Sequence, residues 1–174
     1  MDIIKATPQD EKLLIQLLHE YFVLEGKDYS SAELKHLLMR EVQYGCEFFV
    51  LKEGKDIRGC IGLTMKEGNE AEIAYLTVLK EHVAAGYDHS LLDHVLQLCN
   101  QRGVAAMHGV IPRTHELLFA QKGFYLHKGK VCVEWKAPVT DQQTNLQQQL
   151  NELAHVEETS DQTAEMLRAL KTRK

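Results

Sequence analysis

The sequence predicts an α+β domain (α/β, three-layer) in which a mixed, mostly antiparallel sheet carries helices on both faces. Two N-terminal segments repeat apolar residues at helical spacing, and strand-like segments joined by turn residues follow them. Farther along, a strand, a short loop, an amphipathic helix and another strand form a crossover pattern. The expected order of elements is therefore β α α β β β α β α β β.

Start and stop signals define the N-terminal elements. A short strand opens the chain, and Thr7 followed by Pro8 supplies a helix N-cap and a proline at the first helical position. This helix carries leucines and aromatic residues on one face until Gly26, and a second helix begins after Ser30 and Ser31. Both helices therefore have one apolar face to bury.

The rest of the domain alternates strands and helices. Glu53-Gly54-Lys55 and Gly68-Asn69 are turn sequences between strands, and the last extended pair turns around Lys128-Gly129-Lys130. The predicted strands here are residues 47–51, 57–65, 72–78, 104–111 and a pair within 124–135, and the predicted helices are residues 90–102 and 115–122.

Composition excludes several classes of function. The chain has 174 residues, of which 44% are hydrophobic and 26% charged, as in ordinary soluble globular proteins. A net charge of −5 without a basic stripe argues against nucleic-acid binding, and no apolar run approaches the length of a membrane span. The N-terminus lacks a signal-peptide pattern. We expect a cytoplasmic protein that binds neither nucleic acid nor membrane.

The cysteines and histidines predict no metal site. Four widely spaced cysteines form no CxxC pair, so they are expected to be reduced thiols. Cys99 lies among apolar helix positions and is interpreted as a core residue. His89 and His94 do not share a helix face, which argues against a metal-binding pair.

The C-terminal segment differs in composition from the rest. Residues 1–138 are expected to form one domain and residues 139–174 a polar, Gln-rich helical tail. Leu146, Leu150 and Leu153 lie on one helical face, too narrow an apolar stripe to hold an isolated helix. The tail is therefore expected to pack on the domain, on a partner or on a second copy of the chain, or else to be disordered.

A loop after the strand at residues 72–78 is a candidate anion site. Its successive N–H groups, from Val83 to His89, precede a helix whose dipole favours a negative ligand. Gly86 fits a point where the backbone approaches a ligand or takes positive φ. Asp88 leaves two interpretations open, because its carboxylate either opposes the anion or turns outward and caps the helix.

The order of elements and this loop resemble the GNAT superfamily of N-acetyltransferases over residues 1–136. Val78, Lys80, Gly86 and the run Ser90-Leu91-Leu92 fall at the positions of the family's cofactor-loop motif without a gap. Phe119 to Phe124, with Gly123 before the last residue, resembles the family's second signature, a short helix ending in an aromatic-x-x-x-Gly-Phe run. Val83 and Asp88 depart from the pattern, which has Arg or Gln and Gly or Ala there.

The resemblance implies a GNAT-like fold and transfer of an acetyl group from acetyl-CoA to a primary amine by direct attack. Acetyl-CoA would be the co-substrate, and strand N–H groups near the thioester would polarise its carbonyl. The implied cofactor-binding residues are Leu76, Val78, Val83, Ala84, Ala85, Gly86, Tyr87, Asp88 and His89.

The resemblance also implies a catalytic base. Ala71-Glu72-Ile73 is similar to the strand motif in which a Glu is the general base, so Glu72 is the candidate, and a solvated strand-end carboxylate is the alternative. Phe119 aligns with the family's acidic Tyr and has no hydroxyl. His108 could line the substrate cleft or be structural.

Three functions remain open from the sequence. The first is an acetyl-CoA-dependent N-acetyltransferase whose amine acceptor has no sequence signature. The second is a catalytically weak or inactive domain of the same fold that senses CoA or binds a protein. The third is an oligomerising protein whose tail forms a helical bundle.

Overall fold

The computed structural model describes residues 1–126 and 132–136, and the elements follow the predicted order. The strands in this part of the chain are β1 (Asp2–Lys5), β2 (Cys46–Glu53), β3 (Asp56–Lys66), β4 (Glu70–Val78), β5 (Ala106–Val110), β6 (Tyr125–Leu126) and β7 (Cys132–Lys136). The α-helices described are α1 (Glu11–Leu24), α2 (Ser31–Gln43), α3 (Tyr87–Gln101) and α4 (Glu116–Gln121).

Capping boxes lie before the first two helices, one on the 3₁₀ turn that precedes α1 and one at the start of α2. Thr7 and Asp10 form one, in which the Thr7 N–H and hydroxyl both donate to the Asp10 carboxylate at 2.9 Å. The turn that contains Pro8 is a 3₁₀ turn, so α1 begins only after Asp10 and not directly at the proline. Ser30 caps α2 in the same way, with its N–H donating to Glu33 at 2.8 Å.

The strands form one mixed sheet in the order β1-β2-β3-β4-β5-β7-β6. Only the β4–β5 pair is parallel in the described sheet. Strand β7 lies between β5 and β6, an insertion that the sequence pattern did not predict. The α+β class with a mostly antiparallel sheet and helices on both faces is confirmed.

Two apolar layers cover the two faces of the sheet. One contains the buried faces of α3 and α4, and the other the buried faces of α1 and α2. Burial of these side chains is the main stabilising contribution, at roughly 25 cal/mol per Å² of apolar surface removed from water. Cys99 is fully buried in the first layer, and burial raises the pKa of its thiol to about 11, as befits a core residue.

Strands β4 and β5 pair over only four residues each and then separate. Their register runs from Glu70 opposite Ala106 to Ile73 opposite Gly109. Beyond this point Tyr75 takes a positive φ of 58°, and the β3–β4 register shifts, so β4 bulges. β5 continues alongside β7 while β4 continues alongside β3. A split therefore opens in the sheet between β4 and β5.

Some boundaries differ from the sequence prediction. Helix α3 begins at Tyr87, three residues before the predicted start at Ser90, because Gly86 already supplies the left-handed residue that precedes the helix. Strand β5 is shorter than residues 104–111. The predicted tail (139–174) and the Lys128-Gly129-Lys130 turn lie outside the described residues. Within the described part, no helix is long and apolar enough to cross a membrane.

Gly109 allows the close approach of the two strands at the split. A Cβ atom there would lie 2.2 Å from the carbonyl oxygen of Ile73, which is backbone and cannot rotate away. We expect Gly109→Ala to lower the free energy of unfolding by about 1–3 kcal/mol or more. Chemical denaturation measures the change. Gly62→Ala is the comparison, since its nearest neighbours at 3.1 and 3.2 Å are side-chain atoms, and an equal loss in both variants would contradict the prediction.

Candidate functional site

Beyond Ile73, the backbone of β4 has no register partner on β5. Leu79 donates its N–H to the Arg58 carbonyl at 2.9 Å on the β3 side. Since N–H groups alternate along a strand, the Val78 N–H points the other way, toward the split. Leu76 has the same parity as Val78, and both side chains are buried on the α3 side of the sheet. The two predicted N–H donors therefore face the space that β5 leaves.

The loop after β4 leads directly into the N-terminus of α3. Residues Lys80–Ala85 form a 3₁₀ segment, and Gly86 follows with a φ of 72°. A Cβ at Gly86 would meet nothing within 4 Å, so the glycine is required for its conformation rather than for space. In the first turn of α3 the N–H groups have no partner within the helix, which makes this end favourable for an anion.

Asp88 does not cap α3. The N-cap residue is Gly86, and Asp88 is the second residue of the helix. Its Oδ1 accepts a hydrogen bond from the His89 N–H at 2.9 Å. The predicted outward capping role is therefore wrong in its details, because α3 begins earlier than expected. The carboxylate still lies at the positive end of the helix dipole. Because the His89 N–H donates to it, this N–H is not free to donate to a ligand as predicted.

Two buried polar atoms near the loop lack hydrogen-bond partners among the described residues, although one of them, in His82, lies 4.0 Å from Oε1 of Glu81. They are Nε2 of His82 and Oγ1 of Thr77. The His82 ring stacks on Tyr87, the first residue of α3, with 5.7 Å between ring centroids. Buried polar atoms are normally hydrogen-bonded, so the His82 nitrogen marks a place where a ligand atom or water would complete the loop.

Glu72 lies on the α1/α2 side of the sheet, one residue before the end of the β4–β5 pairing. Its Oε2 is 2.7 Å from Nζ of Lys66 on β3, and 41% of its side chain is exposed. His108 is its exposed register partner on β5. Sequence reasoning missed Lys66, because only the hairpin register brings it to Glu72.

Phe119 is fully buried and packs edge-on against Phe124 with 4.9 Å between centroids. It supplies no proton donor. His115, one helical turn earlier, is buried as well, and burial lowers the pKa of its imidazole while the Asp88 charge acts in the opposite direction. No sequence pattern singles out His115.

A groove of about 480 Å³ lies between α1, α2 and the first two strands, and no residue of β4 or β5 lines it. Cys46 is at its floor and is a register neighbour of Thr64, which in turn is opposite Glu72. Burial raises the pKa of the Cys46 thiol to about 11, so the thiol is not a ready nucleophile.

The chain matches the model of a known protein family. Residues 12–125 match the model of the Acetyltransferase (GNAT) family. The chain belongs to this family. The GNAT domain so matched includes β2 to β5 with the split, the loop and α3, and it ends before β7. A comparison with curated proteins gave no significant match.

Solved structures share the GNAT fold at low identity. A GNAT acetyltransferase from Staphylococcus aureus Mu50 is 16% identical with a TM-score of 0.64, covering 79% of this chain and 99% of its own. PaiA N-acetyltransferase from Thermoplasma acidophilum, solved with coenzyme A, is 17% identical with a TM-score of 0.65, covering 78% and 98%. The Escherichia coli protein YhbS, also solved with CoA, is 20% identical with a TM-score of 0.60, covering 78% and 80%.

The buried His115 predicts a loss of stability in mild acid. Its folded pKa lies below the usual 6.5, so the unfolded chain binds more protons between the two pKa values. The stabilisation is complete above about pH 6.5 and decreases as the pH falls toward the folded pKa. We expect His115→Gln to flatten the decline of melting temperature between about pH 7 and 5. His36→Gln, at an exposed position, should leave the slope unchanged; equal slopes in all three proteins would contradict the prediction.

Proposed function

We propose that this GNAT protein is an acetyl-CoA-dependent N-acetyltransferase that acts on a primary amine. The observation that carries the proposal is the split between β4 and β5, with the N–H groups of Leu76 and Val78 on its edge and the α3 N-terminus at its end. Family membership supports acyl transfer from CoA. The CoA named with two of the similar structures supports the same co-substrate.

The residues at the split fit acetyl-CoA. The loop from Val83 to Gly86 and the first turn of α3 would hold the diphosphate, and Nε2 of His82, which has no hydrogen bond among the described residues, offers a further polar contact. The Val78 and Leu76 N–H groups would receive the acyl carbonyl oxygen. When bound, acetyl-CoA supplies an activated thioester.

Each protein group has a defined task in this proposal. Glu72 accepts a proton from the acceptor ammonium, directly or through a water molecule, so that the amine becomes a nucleophile. The strand N–H groups stabilise negative charge that develops on the carbonyl oxygen. Since Phe119 has no hydroxyl, the thiolate leaves without a protein acid, which its modest basicity permits, and it then takes a proton from water.

The alternative is a CoA-binding GNAT domain with little or no transfer. Two observations favour it: Asp88 places a carboxylate in the first turn of α3, and Phe119 replaces the acid. Calorimetry with acetyl-CoA, followed by assay of thiol release with a panel of primary amines, separates the two functions. Binding without thiol release would favour the alternative, and no binding would contradict both.

The base assignment predicts that Glu72→Gln lowers kcat roughly 100-fold or more at neutral pH, because the amide cannot accept the proton. Thiol release with the best amine of the panel measures this. Glu70→Gln is the matched control, since Glu70 lies on the same strand two residues earlier and is exposed. A similar small change in both variants would refute the role of Glu72.

Asp88 should weaken binding of the dianionic diphosphate. Asp88→Asn is expected to tighten acetyl-CoA binding about five-fold or more, since a like charge at a few ångströms costs on the order of 1 kcal/mol. The same change should slightly lower the melting temperature, because it removes a favourable charge from the helix N-terminus. Asp93→Asn, on the same helix and paired with Lys122 at 2.5 Å, is the control that should not tighten binding. Weaker binding in Asp88→Asn would contradict the prediction.

A further inference from the structure

The ammonium of Lys66 already sits at the proposed base. Its Nζ lies 2.7 Å from Oε2 of Glu72, and 42% of its side chain is exposed. Lys66 is two residues beyond Thr64, the register partner of Glu72, so the two side chains share the same face of the sheet. Lys66 therefore presents a primary amine to Glu72 next to the split.

The Lys66–Glu72 ion pair differs from other surface ion pairs in its position in the fold. Exposed pairs contribute little to stability, typically about 0.2–1 kcal/mol, so stabilisation alone gives it no special role. Lys35 and Glu11 form a pair of the same length, 2.7 Å, with 52% and 41% exposure, on α2 and α1. The Lys66 pair involves Glu72, which lies one residue before the end of the β4–β5 pairing, whereas the Lys35 pair joins two helices. The two pairs are matched in geometry and differ in position.

We propose that Lys66 is an internal acetyl acceptor of this protein, so that the chain acetylates its own β3 strand. The inference rests on the proposed function. Glu72 takes one proton from the Lys66 ammonium, and the amine lone pair attacks the carbonyl carbon of the acetyl-CoA thioester. The N–C bond forms, the second proton leaves the nitrogen, and the C–S bond breaks with its electron pair going to sulfur. The thiolate takes up a proton from water. The products are Nε-acetyl-Lys66, free CoA thiol and one net proton.

Acetylation would also change the state of Glu72. The unmodified ammonium holds the carboxylate in an ion pair, and this pair must separate before Glu72 can serve an external amine. Acetylation removes the charge of Lys66 and with it the attraction. The acetylated chain then has a Glu72 carboxylate free of this partner, so self-acetylation precedes full activity toward other amines.

The test compares the two matched lysines in the full chain. The protein is incubated with acetyl-CoA alone, and site occupancy is followed by peptide mass spectrometry. We expect Lys66 to be acetylated about ten-fold faster than Lys35 or more, because proximity makes the step intramolecular. Glu72→Gln should reduce the Lys66 rate to that of Lys35, and Glu70→Gln should not. The first-order rate should not depend on protein concentration.

A second readout does not depend on transfer. Bound CoA, which carries no acetyl group, should shield Lys66 but not Lys35 from acetic anhydride. Equal rates at the two lysines, or no shielding of Lys66 by bound CoA, would overturn the inference while leaving transfer to added amines intact. If calorimetry detects no binding of acetyl-CoA, the proposed function fails and the inference fails with it.

Discussion

The contact between β4 and β5 at Ile73 and Gly109 is the constraint on which the site depends. A side chain at Gly109 would overlap the Ile73 carbonyl, so the two strands approach there too closely for a side chain, and their pairing ends at this point. The positive φ of Tyr75 and the register shift on β3 turn β4 away from β5. Because β4 pairs with β3 and β5 with β7 on either side, the sheet remains continuous around an opening rather than breaking. Because of this opening, backbone N–H groups of β4 that would otherwise pair with β5 are available as hydrogen-bond donors to a ligand.

Charge at the two ends of this opening explains why family membership does not by itself give an activity. At one end, Asp88 adds a carboxylate to a helix N-terminus that would otherwise favour an anion, and it uses one of the N–H groups there. At the other end, Lys66 neutralises the carboxylate that would act as a base. Both effects are local and modest in energy, so neither removes the site. Together they make cofactor affinity and base availability the quantities that set how well this GNAT domain works.

Much of this could be predicted from the sequence because it depends on short-range patterns. The start of α2 after Ser30, the hairpin at Glu53-Gly54-Lys55 and the element order all follow from local backbone preferences, and the structure has them. The start of α3 could not be predicted in the same way, because Gly86 in the left-handed conformation allows the helix to begin at Tyr87. Because of that shift of three residues, Asp88 lies in the first turn of the helix and not at its N-cap.

The sequence by itself determined the order of elements, and with it the fold class, and the loop before α3, because both follow from local patterns along the chain; Glu72 as base stays a prediction from the resemblance of its strand motif. The tertiary structure alone decided the insertion of β7 beside β5, the ion pair of Glu72 with Lys66 and the burial of His115 near the charge of Asp88. Each of these three features brings together residues that are distant in the chain or that meet through strand register. Register in turn depends on bulges and on the packing of the whole sheet. Local propensity carries no information about either.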